Sequence, residues 1–315
     1  MMRALVIGAA GFVGNYLVKH LLEQGDEVYA GTLGGSVELL PDTTFKVDIT
    51  DAVSTGELIQ RSQPQVIYHL AGISFVPEAE SDFERTLRVN VAGTANVLRQ
   101  AHLLSKEISV LFISSAEVYG QINPEELPIK EGTALRPANN YSLSKRMAEL
   151  VVERYARLGT LRCTIARPFN HIGPGQDSRF VASNFAYQLA RIAHGRAPAV
   201  LQVGNLEARR DFSDVRDIVR AYRLLAHSKG GVFNLGAGVP RSIQALLDGF
   251  IAVSELKVEV QQDPARMRGP EVPELYTSYE RAKSVVGWQP LIPFEQSLAD
   301  IYQYWYERVG LELAA

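Results

Sequence analysis

One cysteine, Cys163, is all that 315 residues hold, so no disulfide can form within the chain, which fits a reducing compartment. Neither sign of charge is in excess: 32 Lys and Arg stand against 35 Asp and Glu, for a formal net charge of −3. A nucleic-acid surface draws on a basic excess, and none is present. Long apolar runs are missing too. Leu5-Val6-Ile7 breaks at Gly8, too short for a signal-peptide core or a membrane span, and no later stretch approaches spanning length. A cytoplasmic protein without membrane contact is expected. The 6 His show no ligand-like pairing with Cys or acids, so no metal site is expected. A nucleophile elbow, Gly-x-Ser-x-Gly, is absent, which argues against a hydrolase.

What is present is a large apolar fraction, 46%, enough for a globular core. Short strand candidates alternate with helical patterns through the first half: Leu5–Ile7, Glu27–Ala30, Phe45–Val47, Val66–Tyr68, Val110–Ile113 and Arg162–Ala166. Several show no alternation of polarity, as strands covered on both faces do. Val13, Leu17 and Leu21 fall at helical spacing. The rhythm predicts an α/β chain with a doubly wound parallel sheet of Rossmann type and a smaller C-terminal lobe. Phe169–Gln176, rich in Gly, Pro and Asn, reads as loop. Ser183–His194 reads as helix, Arg210–Leu225 as a loop leading into a helix, Gly231–Leu235 as a strand and Phe294–Tyr306 as a last helix. The division expected is 1–168 plus about 211–236 for the sheet domain, and about 169–210 with 237–315 for the lobe.

Gly8-Ala9-Ala10-Gly11-Phe12-Val13-Gly14 lies between the first strand and the first helix. Glycines there permit a tight turn, a close approach of backbone N–H groups to a pyrophosphate and close packing of helix on strand. Gly8, Gly11, Phe12, Val13 and Gly14 are therefore candidate dinucleotide contacts; the bland alternative is a turn without a ligand. The end of strand two, Ala30-Gly31-Thr32-Leu33-Gly34-Gly35-Ser36, carries neither the acid that favours NAD nor the Arg that favours NADP. Without an acid to repel a phosphate, and with Thr32 and Ser36 able to bond one, NADP(H) is favoured and NAD(H) remains usable. Asp48, followed by Ile49, could meet the adenine amino group or merely cap a helix.

Tyr141-Ser142-Leu143-Ser144-Lys145 opens a helical pattern continued by Met147, Val151 and Tyr155. Tyrosine and lysine four apart share a helix face, and an ammonium beside a phenol favours the phenolate. Such a pair can exchange a proton with a carbonyl oxygen near neutral pH. Ser114-Ser115-Ala116-Glu117 follows the fifth strand, at the carboxyl edge where ligands sit in such sheets. Ser115 can bond the reacting oxygen while Tyr141 protonates it.

With these pieces in order, the chain resembles the extended short-chain dehydrogenase/reductase family along its whole length. The matching segments are the glycine turn, His69-Leu70-Ala71-Gly72, Asn90-Val91-Ala92-Gly93-Thr94, the serine segment, Tyr141/Lys145 and Arg167-Pro168-Phe169-Asn170. The resemblance implies that Leu70 and Ala71 line the cofactor and that Asn90 is structural; Gly72, where alanine is common, is expected to matter little. Phe169-Asn170-His171-Ile172-Gly173-Pro174-Gly175-Gln176, Val203-Gly204-Asn205-Leu206-Glu207, Arg210–Asp217 and Arg268-Gly269-Pro270-Glu271-Val272 resemble the members acting on GDP-mannose derivatives. A GDP-sugar substrate is implied, held by Asn170, Val203, Asn205, Arg210, Arg268 and Glu271, the Arg residues on the diphosphate and Glu271 on the ribose. Each Arg could equally serve a structural ion pair.

Two activities compete within that group: a 4,6-dehydratase and a reductase of its 4-keto product. Glu117 stands where the dehydratases keep an elimination base, but the reductases carry Glu there too. The dehydratases resemble longer chains with an Arg-rich insertion after strand two, and here only Gly34-Gly35-Ser36 stands there. The resemblance therefore implies NAD(P)H-dependent reduction of the C4 ketone of a GDP-4-keto-6-deoxy sugar. Family members pair through two helices per subunit, here those around Val91–Leu104 and Tyr141–Leu158, so a homodimer is implied. A fold of this family that has lost catalysis and serves as a sensor or scaffold is disfavoured by the intact Ser115, Tyr141 and Lys145.

Overall fold

The computed structural model describes residues 1–105, 107–159, 161–266 and 272–311. The first half runs β1 (Arg3–Ile7), α1 (Phe12–Glu23), β2 (Glu27–Thr32), β3 (Thr44–Lys46), α2 (Ala52–Ser62), β4 (Val66–His69), α3 (Val76–Ser81), α4 (Phe83–Leu87), α5 (Thr94–Leu104), β5 (Ser109–Ile113), α6 (Asn140–Arg157) and β6 (Arg162–Pro168). Between α4 and α5, Arg88–Gly93 winds as a wider π-helical turn. The second half adds β7 (Asn170–Ile172), α7 (Val181–Ala193), β8 (Val200–Val203), β9 (Arg209–Asp214), α8 (Val215–Ala226), β10 (Gly231–Leu235), β11 (Pro240–Ser242), α9 (Ile243–Ser254), β12 (Glu259–Gln262), β13 (Glu274–Leu275), α10 (Glu280–Val286) and α11 (Phe294–Leu311).

Seven strands form the main sheet in the order β10-β6-β5-β4-β1-β2-β3, every neighbouring pair parallel. Successive side chains point to opposite faces, and here both faces are covered. Ala4 and Val6 join α1 and α8 in one core; Leu5 and Ile7 join α2, α5 and α6 in the other. That double burial is why these strands read as unbroken apolar runs.

The lobe is built on β9. β11 pairs with it antiparallel, and β7 and β13 pair with it in parallel; β8 and β12 make a separate parallel pair. Its core lies among α7, α9 and α11. Two expectations need correcting. Phe169–Gln176 is not all loop, because Asn170, His171 and Ile172 pair with Phe212, Ser213 and Asp214. Arg210–Asp214 is not loop but the central strand of the second sheet. Its polar residues find partners within the fold: the buried Asp211 carboxylate accepts the N–H groups of Ala237, Gly238 and Thr277. Accordingly residues 211–214 sit in the lobe's sheet, while α8 and β10 pack with the main sheet. Ala282 and Trp288, placed in the lobe by sequence, also pack in the core under α1 and α8.

Because β6 ends at Pro168 and β7 begins at Asn170, the chain steps from one sheet into the other within two residues. The lobe therefore stands directly beyond the carboxyl ends of the main strands. Among the described residues, no helix is long and apolar enough to cross a membrane.

Candidate active site

At the carboxyl edge of β1 the glycine turn is closed against its neighbours. Gly8 has φ +94, and a Cβ there would stand 2.7 Å from the Ala71 nitrogen. A Cβ on Gly14 would strike the carbonyls of Gly8 and Ala9. Gly8 N–H donates to Gly31 O at 2.8 Å, and Leu70 and Ala71 N–H both donate to Ile7 O at 2.9 Å. Helix α1 follows Gly11, its N-cap, with no side chain capping its first turn. The free N–H groups and the helix dipole make a seat for an anion, and the glycines let a pyrophosphate approach the backbone. These residues fit a dinucleotide.

The other candidate cofactor contacts are less uniform. Phe12 stacks on His171 at 6.3 Å between ring centroids and meets Tyr16 edge-on at 5.6 Å, so its ring joins the lobe to the turn. Val13 is half-buried against the first core, and Ile49 is buried, close under Gly93. Thr32 was expected to offer its hydroxyl to a phosphate; instead it is buried and donates to Gly35 O at 3.2 Å. Asp48 accepts from Thr50 N and Oγ1 at 2.9 and 2.8 Å, which spends one carboxylate oxygen on a local turn.

Helix α6 begins with a reciprocal cap: Asn139 accepts from Ser142 N at 2.7 Å, and Asn139 N donates to Ser142 Oγ at 3.1 Å. This fixes the first turn, where Tyr141 sits. Ser115, at the mouth of β5, accepts from Glu117 N at 3.2 Å and lies beside the Tyr141 side chain. Burial pushes the Tyr141 phenol up to about 12; the Ser115 hydroxyl pulls it down and Glu117 pushes it further up. Lys145 is buried, its Nζ donating to Ile113 O at 2.7 Å and lying 5.0 Å over the Phe112 ring. Burial brings its ammonium down to about 8, against the pull of Glu149. The sequence spacing implied an ammonium that acidifies the phenol. The structure brings the pair onto one helix face, but the Ile113 carbonyl holds the ammonium and burial dominates both groups.

The surroundings of this pair were not foreseen. Arg167 forks onto Glu149 with two 2.8 Å bonds and reaches the Tyr119 hydroxyl at 3.0 Å, which donates to Asn234 at 2.7 Å. The network ties α6 to β6, β10 and the segment after β5. The sequence signal was there: Tyr141, Lys145 and Glu149 recur at four-residue spacing, and Arg167 interrupts an apolar strand. Asn90 holds Ile73 through both its amide atoms, at 2.8 and 3.0 Å, and donates to Ser144 at 2.9 Å, so its part is structural. Gly72 matters more than expected, since a Cβ there would stand 2.9 Å from Asn90 Oδ1 and 3.6 Å from Lys145 Nζ.

In the lobe, Asn170 is exposed at the start of β7, two pairing positions from Arg210 on β9. Arg210 bonds Arg209 O at 2.9 Å. Val203 is buried at the end of β8, and Asn205 accepts from Glu207 N at 3.0 Å. Arg268 and Glu271 lie outside the described residues. No group of three His, Cys, Asp or Glu among the described residues could hold a metal.

A parallel sheet with a glycine turn after β1, a serine after β5 and a Tyr–Lys pair on the next helix defines the class: an oxidoreductase of the extended short-chain dehydrogenase/reductase type. Within that class the chain belongs to the GDP-mannose 4,6-dehydratase family, whose pattern matches residues 5–301. It is 38% identical to the GDP-6-deoxy-D-mannose reductase of Pseudomonas aeruginosa, over 98% of this chain and 99% of that protein. The solved structure of RMD from Pseudomonas aeruginosa complexed with NADPH superposes with a TM-score of 0.88 at 33% identity, covering 98% of this chain and 100% of that one. The UDP-glucose 4-epimerase of Thermus thermophilus, complexed with NAD, has a TM-score of 0.87 at 26% identity, covering 96% and 99%.

Proposed function

We propose that this protein reduces the C4 ketone of GDP-4-keto-6-deoxy-D-mannose to GDP-D-rhamnose with NADPH, NADH serving as a second donor. The observation that carries the reading is the 38% identity, over 98% of the chain, to a GDP-6-deoxy-D-mannose reductase. The site fits it: Tyr141 lies beside Ser115 at the carboxyl edge of the sheet, and burial pushes its phenol up to about 12, keeping the proton that a ketone reduction consumes. The short turn after β2, Gly34-Gly35-Ser36, in place of a long Arg-rich insertion, supports the reductase over the dehydratase.

When bound, the dinucleotide supplies a hydride to C4. Ser115 donates to the ketone oxygen and holds it against Tyr141. As negative charge develops on that oxygen, the Tyr141 phenol passes it a proton, so ketone, hydride and proton become a secondary alcohol. Lys145, four residues along and charged below about 8, lowers the cost of the phenolate left behind. Arg167 and Glu149 hold α6 in register for this transfer. In the lobe, Asn170, Val203, Asn205 and Arg210, with Arg268 and Glu271, would hold the nucleotide diphosphate, guanidinium groups taking the phosphates. The sheet with α8 and β10 would serve the cofactor and the lobe the sugar nucleotide. Two copies would pair through α5 and α6, in the cytoplasm.

One observation favours a second reading: Glu117 lies close enough to Tyr141 to raise its phenol, as an elimination base of a 4,6-dehydratase would. Absorbance at the reduced-nicotinamide band separates the two. Stoichiometric loss of NADPH with GDP-4-keto-6-deoxy-D-mannose is expected. Conversion of GDP-mannose to a keto sugar with no net loss would establish the dehydratase instead.

A further inference from the structure

The turn after β2 carries neither acid nor arginine, yet it closes over a cavity of about 460 Å³ whose walls include Thr32, Gly35, Ser36, Leu40, Thr44 and Lys46. The cavity adjoins the glycine turn: a Cβ on Gly35 would come within 3.5 Å of Ala10 Cβ. Its far wall is β3. Lys46 pairs in register with Thr32, so the lysine stands one strand spacing from the strand-two end. Thr44 and Lys46 share a face, and Phe45 points the other way, stacking on Tyr29.

The donors divide into spent and free. Thr32 and Thr44 give their hydroxyls to Gly35 O and Leu40 O, at 3.2 and 2.7 Å. The Lys46 ammonium makes no hydrogen bond or ion pair with a described residue, and no acid lines the cavity. The N–H groups of Gly34, Gly35 and Ser36 donate to no described residue, and Gly35 has φ +85, a conformation that suits glycine. One unpaired ammonium, one serine hydroxyl and a run of unpartnered amides lining a pocket without acids make a seat for a dianion. With a pyrophosphate at the glycine turn, the adenosine ribose of a dinucleotide reaches the end of strand two, where its 2′ position is read.

Resting on the reductase reading above, we infer that Lys46, with Ser36 and the Gly34–Ser36 amides, receives the 2′-phosphate of NADPH. The cation that selects the phosphorylated cofactor comes from strand three, in place of an arginine at the end of strand two. Thr32, whose hydroxyl is spent on Gly35, shapes the turn and does not select.

The test is binding, not turnover. Dissociation constants of NADPH, NADH, 2′,5′-ADP and 5′-ADP are measured by titration calorimetry for wild type, Lys46→Ala, Lys46→Arg and Ser36→Ala. Wild type is expected to prefer each 2′-phosphorylated ligand. Lys46→Ala should weaken NADPH and 2′,5′-ADP by roughly 10- to 100-fold, the worth of a charged hydrogen bond, and leave NADH and 5′-ADP within about twofold. Lys46→Arg should keep most of the preference, and Ser36→Ala should lose a smaller part. Lys46 is exposed, and unchanged thermal unfolding will show that the variants fold. Equal weakening of all four ligands, no weakening of any, or a wild type indifferent to the 2′-phosphate would overturn the assignment to Lys46 and leave the reductase standing. A wild type that binds neither dinucleotide would overturn both.

Discussion

Tyr141 can act as an acid only while it keeps its proton, and Lys145 helps only while it keeps its charge. Replacing Tyr141 by Phe removes the proton and little else, because the ring still fills its place beside Ile73. Turnover should fall by about 10²- to 10⁴-fold, the usual worth of a positioned proton donor, while GDP-sugar affinity measured by calorimetry stays near wild type. Near-normal turnover would sink the mechanism. The sign of the pH dependence follows from Lys145. Burial has brought its ammonium down to about 8, so the charged form prevails below that pH and is lost above it. The kcat/KM of the free enzyme should fall on the alkaline side with a midpoint of about 8. In Lys145→Arg the guanidinium stays charged throughout, so whatever activity remains should lose that alkaline limb. A limb unchanged in the variant would assign it to another group.

At the scale of elements, α6 is the part the site depends on. Met147, Val151 and Tyr155 marked the segment as a helix, and Val151 and Tyr155 pack against the second core. The structure buries Tyr141, Lys145, Ala148, Glu149 and Val152 and leaves Met147 37% exposed. Charged side chains go inward because partners meet them there: Arg167, 18 residues later in the chain, forks onto Glu149. Glu149→Gln removes the charge that Arg167 needs, and a buried ion pair broken from one side costs about 3–5 kcal/mol. Urea unfolding should show that loss, and replacing both partners, Glu149→Leu with Arg167→Met, should restore most of it; a loss under about 1 kcal/mol in the single variant would mean that water reaches Arg167. The same contrast explains what the sequence made legible. Strands sandwiched between helix layers announced themselves as apolar runs, and the glycine turn, Ser115 and the Tyr–Lys spacing depend on short segments. Strand β9 did not, because Arg209-Arg210-Asp211 is polar and the groups that satisfy Asp211 lie 26, 27 and 66 residues away. Tertiary partners of that kind leave no local period to read.

For the whole molecule, the outer face of α6 poses a different question from its inner face. Leu143, Met147 and Leu150 are 38, 37 and 46% exposed, and their spacing sets them in one stripe along the helix. On neighbouring α5, Leu103 is 66% exposed. Scattered apolar side chains on a surface need no account, but a stripe on a helix whose other face holds Tyr141 and Lys145 is the kind of surface a second subunit covers. The expected dimer would pack α5 and α6 of one copy on those of the other, leaving both sites open at the carboxyl edges of their sheets. Met147→Glu with Leu150→Arg should shift the sedimentation of the protein at tens of micromolar from dimer toward monomer. NADPH affinity should persist in that variant, since the substituted side chains point away from the cofactor edge. A wild type that sediments as a monomer at that concentration would refute the pairing, and the stripe would need another occupant.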